Sequence, residues 1–285
     1  MNEKRKSEIL LHLILIILLV CMCLYHLDKL GFIAVLNDEF GYWGNASSLA
    51  GYDWKDLMQE TPYYAWGYSL FLVPLMLIFR NYDIVYKSAI VLNLIFLIVS
   101  FECAVYVSKR LLNNRTLVSL LLSFVVTIYP GNLVYAEVAW SELLLCMLMW
   151  LSVALVVSLL QNFSIIKYAG FLCVLGYMYV VHQRSIGIIL VGIFTAVFIL
   201  KKHKKPIWSW IIPLIIFAVW YGLNSVIKNI QMEMYWADSQ FSSMNNVGLN
   251  ASTFNTYLSS IFENFKELLV SISGKFFYLL VASGG

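Results

Sequence analysis

Charge is scarce in this chain. Asp, Glu, Lys and Arg make up 12% of its 285 residues, and apolar side chains make up 61%. A soluble domain carries about 25% charged and about 45–50% apolar residues. That much apolar surface cannot be hidden in one soluble core, so the composition predicts a polytopic membrane protein. The basic residues that exist are clustered: Lys4, Arg5 and Lys6; Lys109 and Arg110 with Arg115; and Lys201, Lys202, Lys204 and Lys205. Membrane-length apolar runs separate these clusters, so there is no basic stripe for nucleic acid, which is not expected as a partner. Also missing are a Walker A loop, a dinucleotide fingerprint, a zinc motif, a serine nucleophile elbow, internal repeats and low-complexity tracts. The five cysteines (Cys21, Cys23, Cys103, Cys146, Cys173) lie inside apolar runs and read as small hydrophobes, not as spaced metal ligands.

What is present is a series of apolar runs: 9–30, 65–79, 86–108, 117–134, 139–160, 166–181, 185–200, 207–226 and 267–283. The first has no small-residue cleavage site after it and reads as a retained signal anchor. Cytoplasmic loops carry the excess Lys and Arg. With Lys4, Arg5 and Lys6 inside, Lys109 and Arg110 return to the inside only if one of the two intervening runs does not span. The weaker is 65–79, which is short, contains Pro74 and follows Tyr63, Tyr64, Trp66 and Tyr68. Trp and Tyr favour the headgroup level, so 62–79 is expected to lie in the outer interface. The expectation is an all-α, polytopic transmembrane bundle of about eight spans with juxtamembrane helices on its outer face. The whole chain, 1–285, reads as a single transmembrane domain, with outer loops at 31–80 and 227–266. It ends directly after an apolar run, as a short protein or the front part of a longer one would.

Asp38 and Glu39 follow the first run and are expected at the outer face. Asp38 can cap a short helix over 39–49, or one carboxylate can act as a general base on an acceptor hydroxyl. Glu137 and Glu142 belong to a second outer loop, with Glu142 at the mouth of a span. Either it favours the helix dipole or it is functional, as ionisable groups at such places often are. His182-Gln183-Arg184 forms an outer turn where positive-inside bias argues against an arginine. Arg184 can fork onto a phosphate or snorkel to headgroups. Glu102 is expected to pair with polar groups of the bundle or to reach the inner interface, Asn93 to bond between helices, and His12 and His26 to sit at interfaces. Tyr52, Trp54, Tyr64 and Trp66 read as an aromatic belt or as sugar-stacking groups. Cofactors are undetermined, and a divalent cation held by Asp38, Glu39 and Glu142 is left open.

Taken in order, these features resemble the C-type (GT-C) glycosyltransferase superfamily, in particular its protein O-mannosyltransferase and aminoarabinose transferase branch. The resemblance rests on Asp38-Glu39 after the first span and on the interface segment Thr61-Pro62-Tyr63-Tyr64-Ala65-Trp66-Gly67-Tyr68. It continues through the basic turn at Lys109-Arg110 to Glu142 at the head of a later helix. The chain departs from the family pattern at Thr61, where Pro is frequent, at Glu142, where Asp is frequent, and at Glu137, near a frequent Arg. The resemblance implies transfer of a sugar from a polyprenyl phosphate or pyrophosphate to a hydroxyl-bearing glycan, lipid or protein. It implies Asp38 as base, Glu39 and Glu142 as supporting acids, and Arg184 as a phosphate contact, with His182, Glu137, Tyr64 and Trp66 around the substrate. The enzyme would sit in the plasma membrane with a cytoplasmic N-terminus and its site outside. The rival readings are a transporter or flippase for lipid-linked sugars, which calls for midplane charges and repeats, and a non-catalytic protein of the cell envelope.

Overall fold

The computed structural model describes residues 3–30, 36–54, 64–113, 115–206, 209 and 211–236. Among them are ten helices and no strand. The N-terminal helices are α1 (Glu3–Leu24), α2 (Leu36–Ala50), α3 (Ser69–Ile78) and α4 (Tyr82–Leu111). Next come α5 (Thr116–Thr127), α6 (Pro130–Ala136), α7 (Glu142–Gln161) and α8 (Ile165–Val181). A 3-10 turn at Gln183–Ser185 leads into α9 (Ile186–Lys202), and α10 covers Ile211–Trp236.

Helix α4 is the organising element. Its 30 residues span about 45 Å at 1.5 Å per residue. The Asn81 side chain caps it by accepting from the backbone N–H of Asp83 at 2.9 Å and of Ile84 at 3.4 Å. Asp83 in its first turn and Lys109 and Arg110 in its last complement the helix dipole. Ile90, Leu97 and Phe101 of α4 are wholly buried, as are Leu143 and Leu144 of α7 and Leu172 of α8. Asn93 is a buried polar group of this core that is paired. It accepts from Tyr68 Oη at 3.0 Å and donates to the carbonyl of Val138 at 2.6 Å. This single amide therefore ties α4 to the segments preceding both α3 and α7.

Five helices are long and apolar enough to cross a membrane: α1, α4, α7, α9 with its leading turn, and α10. Helices α5 and α6 add a sixth if their pair, bent by 64°, is one span. The run 117–134, expected as a single span, is two helices bent at a break before Pro130, which lacks the N–H needed to continue α5 and sits at the start of α6. Helix α8 has 17 residues, at the lower limit for crossing. The run 267–283 lies outside the described residues, as do 31–35 and 55–63 of the 31–80 loop. The outward-facing side chains suit hydrocarbon rather than water: Phe194 is 74% exposed and Leu214 70%. So much exposed apolar surface would aggregate in water.

Other expectations change with the structure. Helix α1 begins at Glu3 and ends at Leu24, so its apolar length is displaced toward the N-terminus relative to 9–30. His12 pairs within the bundle. It lies within α1, its Nε2 2.6 Å from Glu102 Oε1 of α4, and its ring meets that of Phe101 edge-on. Helix α3 has ten residues, about half the length needed to cross. Helix α10 runs to Trp236, so residues 227–236 continue a helix and do not open the expected loop; residues 237–266 lie outside the described residues.

Contacts give the bundle two chemically distinct ends. At one end meet the starts of α2, α4 and α7 and the turn between α8 and α9, joined by bonds described below. At the other end Lys202 Nζ donates to the carbonyl of Leu160 and His203 Nε2 lies 2.8 Å from that of Leu159. The ends of α7 and α9 therefore meet there, with the basic residues 201–205.

Candidate functional site

At the first end a cavity of about 280 Å³ opens between four segments. Helix α2 contributes Asp38 and Tyr42, the approach to α3 contributes Tyr64 and Ala65, α7 contributes Glu142, and the turn after α8 contributes His182, Gln183 and Arg184. Residues separated by up to 146 positions thus share one wall because parallel and antiparallel helices start and finish at the same level.

Asp38 and Glu39 are neighbours in sequence but face different surroundings. Helix α2 begins at Leu36, so Asp38 is in its first turn and is not the cap expected before 39–49. Asp38 is exposed to the cavity, and its Oδ1 accepts from Tyr64 Oη at 2.9 Å. Glu39, one residue or 100° further round, is fully buried. Its Oε1 accepts from Tyr86 Oη of α4 and from the Ala139 N–H, both at 2.8 Å. Glu39 thereby pins α2 to α4 and to the approach to α7, and it is not among the residues that line the cavity.

Glu142 is the first residue of α7. Its Oε2 is buried and has no hydrogen-bond partner among the described residues. Tyr42 Oη, beside it, shares a 2.6 Å hydrogen bond with Ser141 Oγ. Burial pushes the Tyr42 phenol well above its usual range, with the Glu142 and Asp38 charges adding to the effect, so it remains a neutral hydroxyl.

His182 Nδ1 accepts from the Arg184 N–H at 3.2 Å. A backbone N–H can only donate, so the neutral ring carries its proton on Nε2. Burial first and the Arg184 charge second lower the His182 pKa, against a smaller pull from Asp38. Protonating Nδ1 would also break the bond to Arg184. His182 is therefore a neutral donor through Nε2–H. The exposed Arg184 guanidinium makes no hydrogen bond or ion pair with the described residues.

The sign of the resulting pH dependence follows. The folded protein holds His182 below its ordinary value of about 6.5, so below that pH the unfolded chain binds more protons. Stability is undiminished above the ordinary value and lost as pH falls through the folded one. Thermal unfolding in detergent between pH 8 and 5 should show a loss on acidification that is smaller in His182→Gln. Equal acid sensitivity of the two proteins would refute the assignment.

Two glycines set the wall that carries Tyr64. A Cβ on Gly41 would overlap the Tyr64 ring, and one on Gly67 would come within 2.6 Å of the Val180 carbonyl oxygen. Gly67 uses that closeness: its N–H donates to the same oxygen at 2.7 Å, and its carbonyl accepts from Tyr177 Oη at 2.8 Å. Gly41→Ala is expected to push Tyr64 off Asp38 without loss of overall helicity. The measurement is circular dichroism together with reactivity of the Tyr64 phenol; unchanged reactivity would count against the contact.

Helix α10 holds the same wall from behind. Asn224 Oδ1 accepts from Trp66 Nε1 at 3.0 Å, Lys228 Nζ donates to the Tyr64 backbone carbonyl, and Gln231 Nε2 donates to Asn45 Oδ1 at 2.9 Å. Trp66 is thus buried in a supporting contact and does not line the cavity. Glu137, at the end of α6, is likewise absent from the cavity wall. The sequence reading did not single out Tyr42, Gln183 or the α10 residues. Asn224, Lys228 and Gln231 recur at i, i+4 and i+7 in a largely apolar helix. That periodicity was visible, but ending the helix at 226 concealed it.

Among the described residues no three His, Cys, Asp or Glu side chains converge to hold a metal ion. In particular, Glu39 is turned away from Asp38 and Glu142. What the cavity offers is two carboxylates and two donors. It can accept a proton or hydrogen bond from a hydroxyl on one side and donate to an anion on the other. Comparison with known proteins yields no match, whether to family models, curated proteins or solved structures.

Proposed function

We propose that the protein is a membrane glycosyltransferase that uses a polyprenyl-phosphate or polyprenyl-pyrophosphate sugar as donor and a hydroxyl-bearing acceptor. The reading is supported by one observation above all: Asp38 and Arg184, of opposite charge and without a mutual ion pair, line the same small cavity of an apolar bundle. The order of motifs that resembles the GT-C superfamily agrees with it. In this reading the N-terminus is cytoplasmic and the cavity opens at the outer face of the plasma membrane. The basic residues at the opposite end of the bundle favour that orientation.

Asp38 takes the proton of the acceptor hydroxyl, whose oxygen attacks the anomeric carbon. The bond from that carbon to the phosphate oxygen breaks, and the electron pair leaves with the polyprenyl phosphate or pyrophosphate. One displacement inverts the centre. Arg184 and the Nε2–H of His182 meet the growing negative charge, the kind of preorganised electrostatic help that dominates such reactions. Glu142 accepts a hydrogen bond from a sugar hydroxyl, and Tyr64 orients Asp38.

The test is to incubate membranes carrying the full chain with polyprenyl-linked sugars and a hydroxyl acceptor. A covalent product that requires Asp38 is expected. Movement of the donor across the bilayer with no covalent product would overturn the reading in favour of a flippase.

A further inference from the structure

A second cavity, of about 410 Å³, lies where the ends of α2 and α3 meet the start of α4. Tyr42 and Trp43 are consecutive on α2, and they face different hollows: Tyr42 the acidic one, Trp43 this one. Its walls are aromatic, from Trp43, Tyr52, Trp54, Phe79 and Tyr82, and Arg80 is the charged residue among them. Among the described residues no carboxylate lines it. Two carboxylates adjoin lining residues in sequence: Asp53, which is not itself in the wall and has a partner of its own, and Asp83, which is bound to Lys87 Nζ at 2.9 Å. The exposed Arg80 guanidinium makes no hydrogen bond or ion pair with the described residues. The start of α4, with the positive end of its dipole, adjoins the same space.

An unneutralised guanidinium in such a hollow selects an anion, and its planar fork suits a phosphate. The volume exceeds that of a bare phosphate and leaves room for a small polyol esterified to it, with indole and phenol faces to pack on its carbons. Beside the cavity, Leu77 and Ile78 at the end of α3 and Ile84 at the start of α4 are exposed and apolar. A chain attached to the phosphate can run along them into the bilayer. Trp and Tyr at this level agree with a headgroup position.

We infer that this cavity binds the headgroup of an anionic glycerophospholipid, with its phosphate on Arg80 and its glycerol against the aromatic walls. The occupant is a lipid of the surrounding bilayer and not the sugar donor, because α2 stands between this hollow and Asp38. The site is independent of the proposed chemistry: it requires only that the chain be embedded in a membrane.

The experiment is lipid retention by the purified full chain from mixed micelles of phosphatidylglycerol and phosphatidylcholine, read by native mass spectrometry. The wild type should retain phosphatidylglycerol in preference. Arg80→Gln should lower that preference roughly tenfold, as loss of one charge-assisted contact implies. Arg80→Lys should restore part of it, and Arg184→Gln should leave it unchanged. Arg80 is exposed, so circular dichroism should be the same for all variants. Equal retention by wild type and Arg80→Gln would overturn the proposal. So would preferential retention of polyprenyl phosphate in a competing mixture, because the occupant would then be the carrier.

Discussion

Asp38→Asn should lower the rate of sugar transfer by about 10²–10⁴, the contribution of a positioned general base. The substitution changes one atom and leaves an oxygen to accept from Tyr64 Oη, now 2.9 Å from Asp38 Oδ1. Shape and the tie to the wall preceding α3 are therefore kept while the proton acceptor is lost. Because Asp38 is exposed to the cavity, the fold should tolerate the change; expression and unfolding temperature serve as controls. The loss should appear in kcat with KM little altered, since a base acts on the transition state and not on ground-state binding. Transfer at the wild-type rate by well-folded protein would remove Asp38 from the mechanism.

Glu39→Ala should instead act on stability. It strips the acceptor from the Ala139 N–H and from Tyr86 Oη, each 2.8 Å from Glu39 Oε1 in a fully buried position. An unsatisfied buried donor costs about 1–3 kcal/mol, so the pair should destabilise the fold by several kcal/mol, roughly the sum of the two. The cavity wall would feel the change through the loosened approach to α7, where Ser141 and Glu142 stand. Glu39→Gln keeps an oxygen that can accept both bonds and should be the milder variant in denaturation measured in detergent. This pair of variants separates the two roles. A catalytic acid would lose activity in Glu39→Gln with stability intact, whereas a structural clamp loses stability in Glu39→Ala and keeps most activity in Glu39→Gln.

Adjacent letters explain why the site was half legible. Asp38-Glu39 stands out as an acidic pair in an apolar chain, and that is enough to mark the segment. Which of the two meets solvent depends on the phase of α2, and that phase depends on where the helix starts. Its start at Leu36 instead of after Asp38 follows from how Trp43, Ala46 and Glu39 pack inward, a consequence of neighbours distant in sequence. Similarly, Trp66 and Tyr64 share an aromatic segment and read alike. One is drawn to Asn224 and the other to Asp38, partners distant in sequence that the segment's own letters do not choose.

The bilayer class, the helical content and the position of most long helices follow from the chain's own letters. Runs of apolar residues punctuated by basic turns have few other stable solutions, since every backbone polar group in hydrocarbon must be paired within its own helix. The meeting of Asp38, Glu142 and Arg184 around one hollow has a different origin. It comes from long-range packing, chiefly α4 against α7 and the Asn93 and Glu39 ties that level their ends. The break between α5 and α6 at 128–129 has a local cause in Pro130, although composition presents the run as continuous. Local patterning chooses the elements. Side chains far apart along the chain set their relative heights, and those heights determine which groups can act on one substrate.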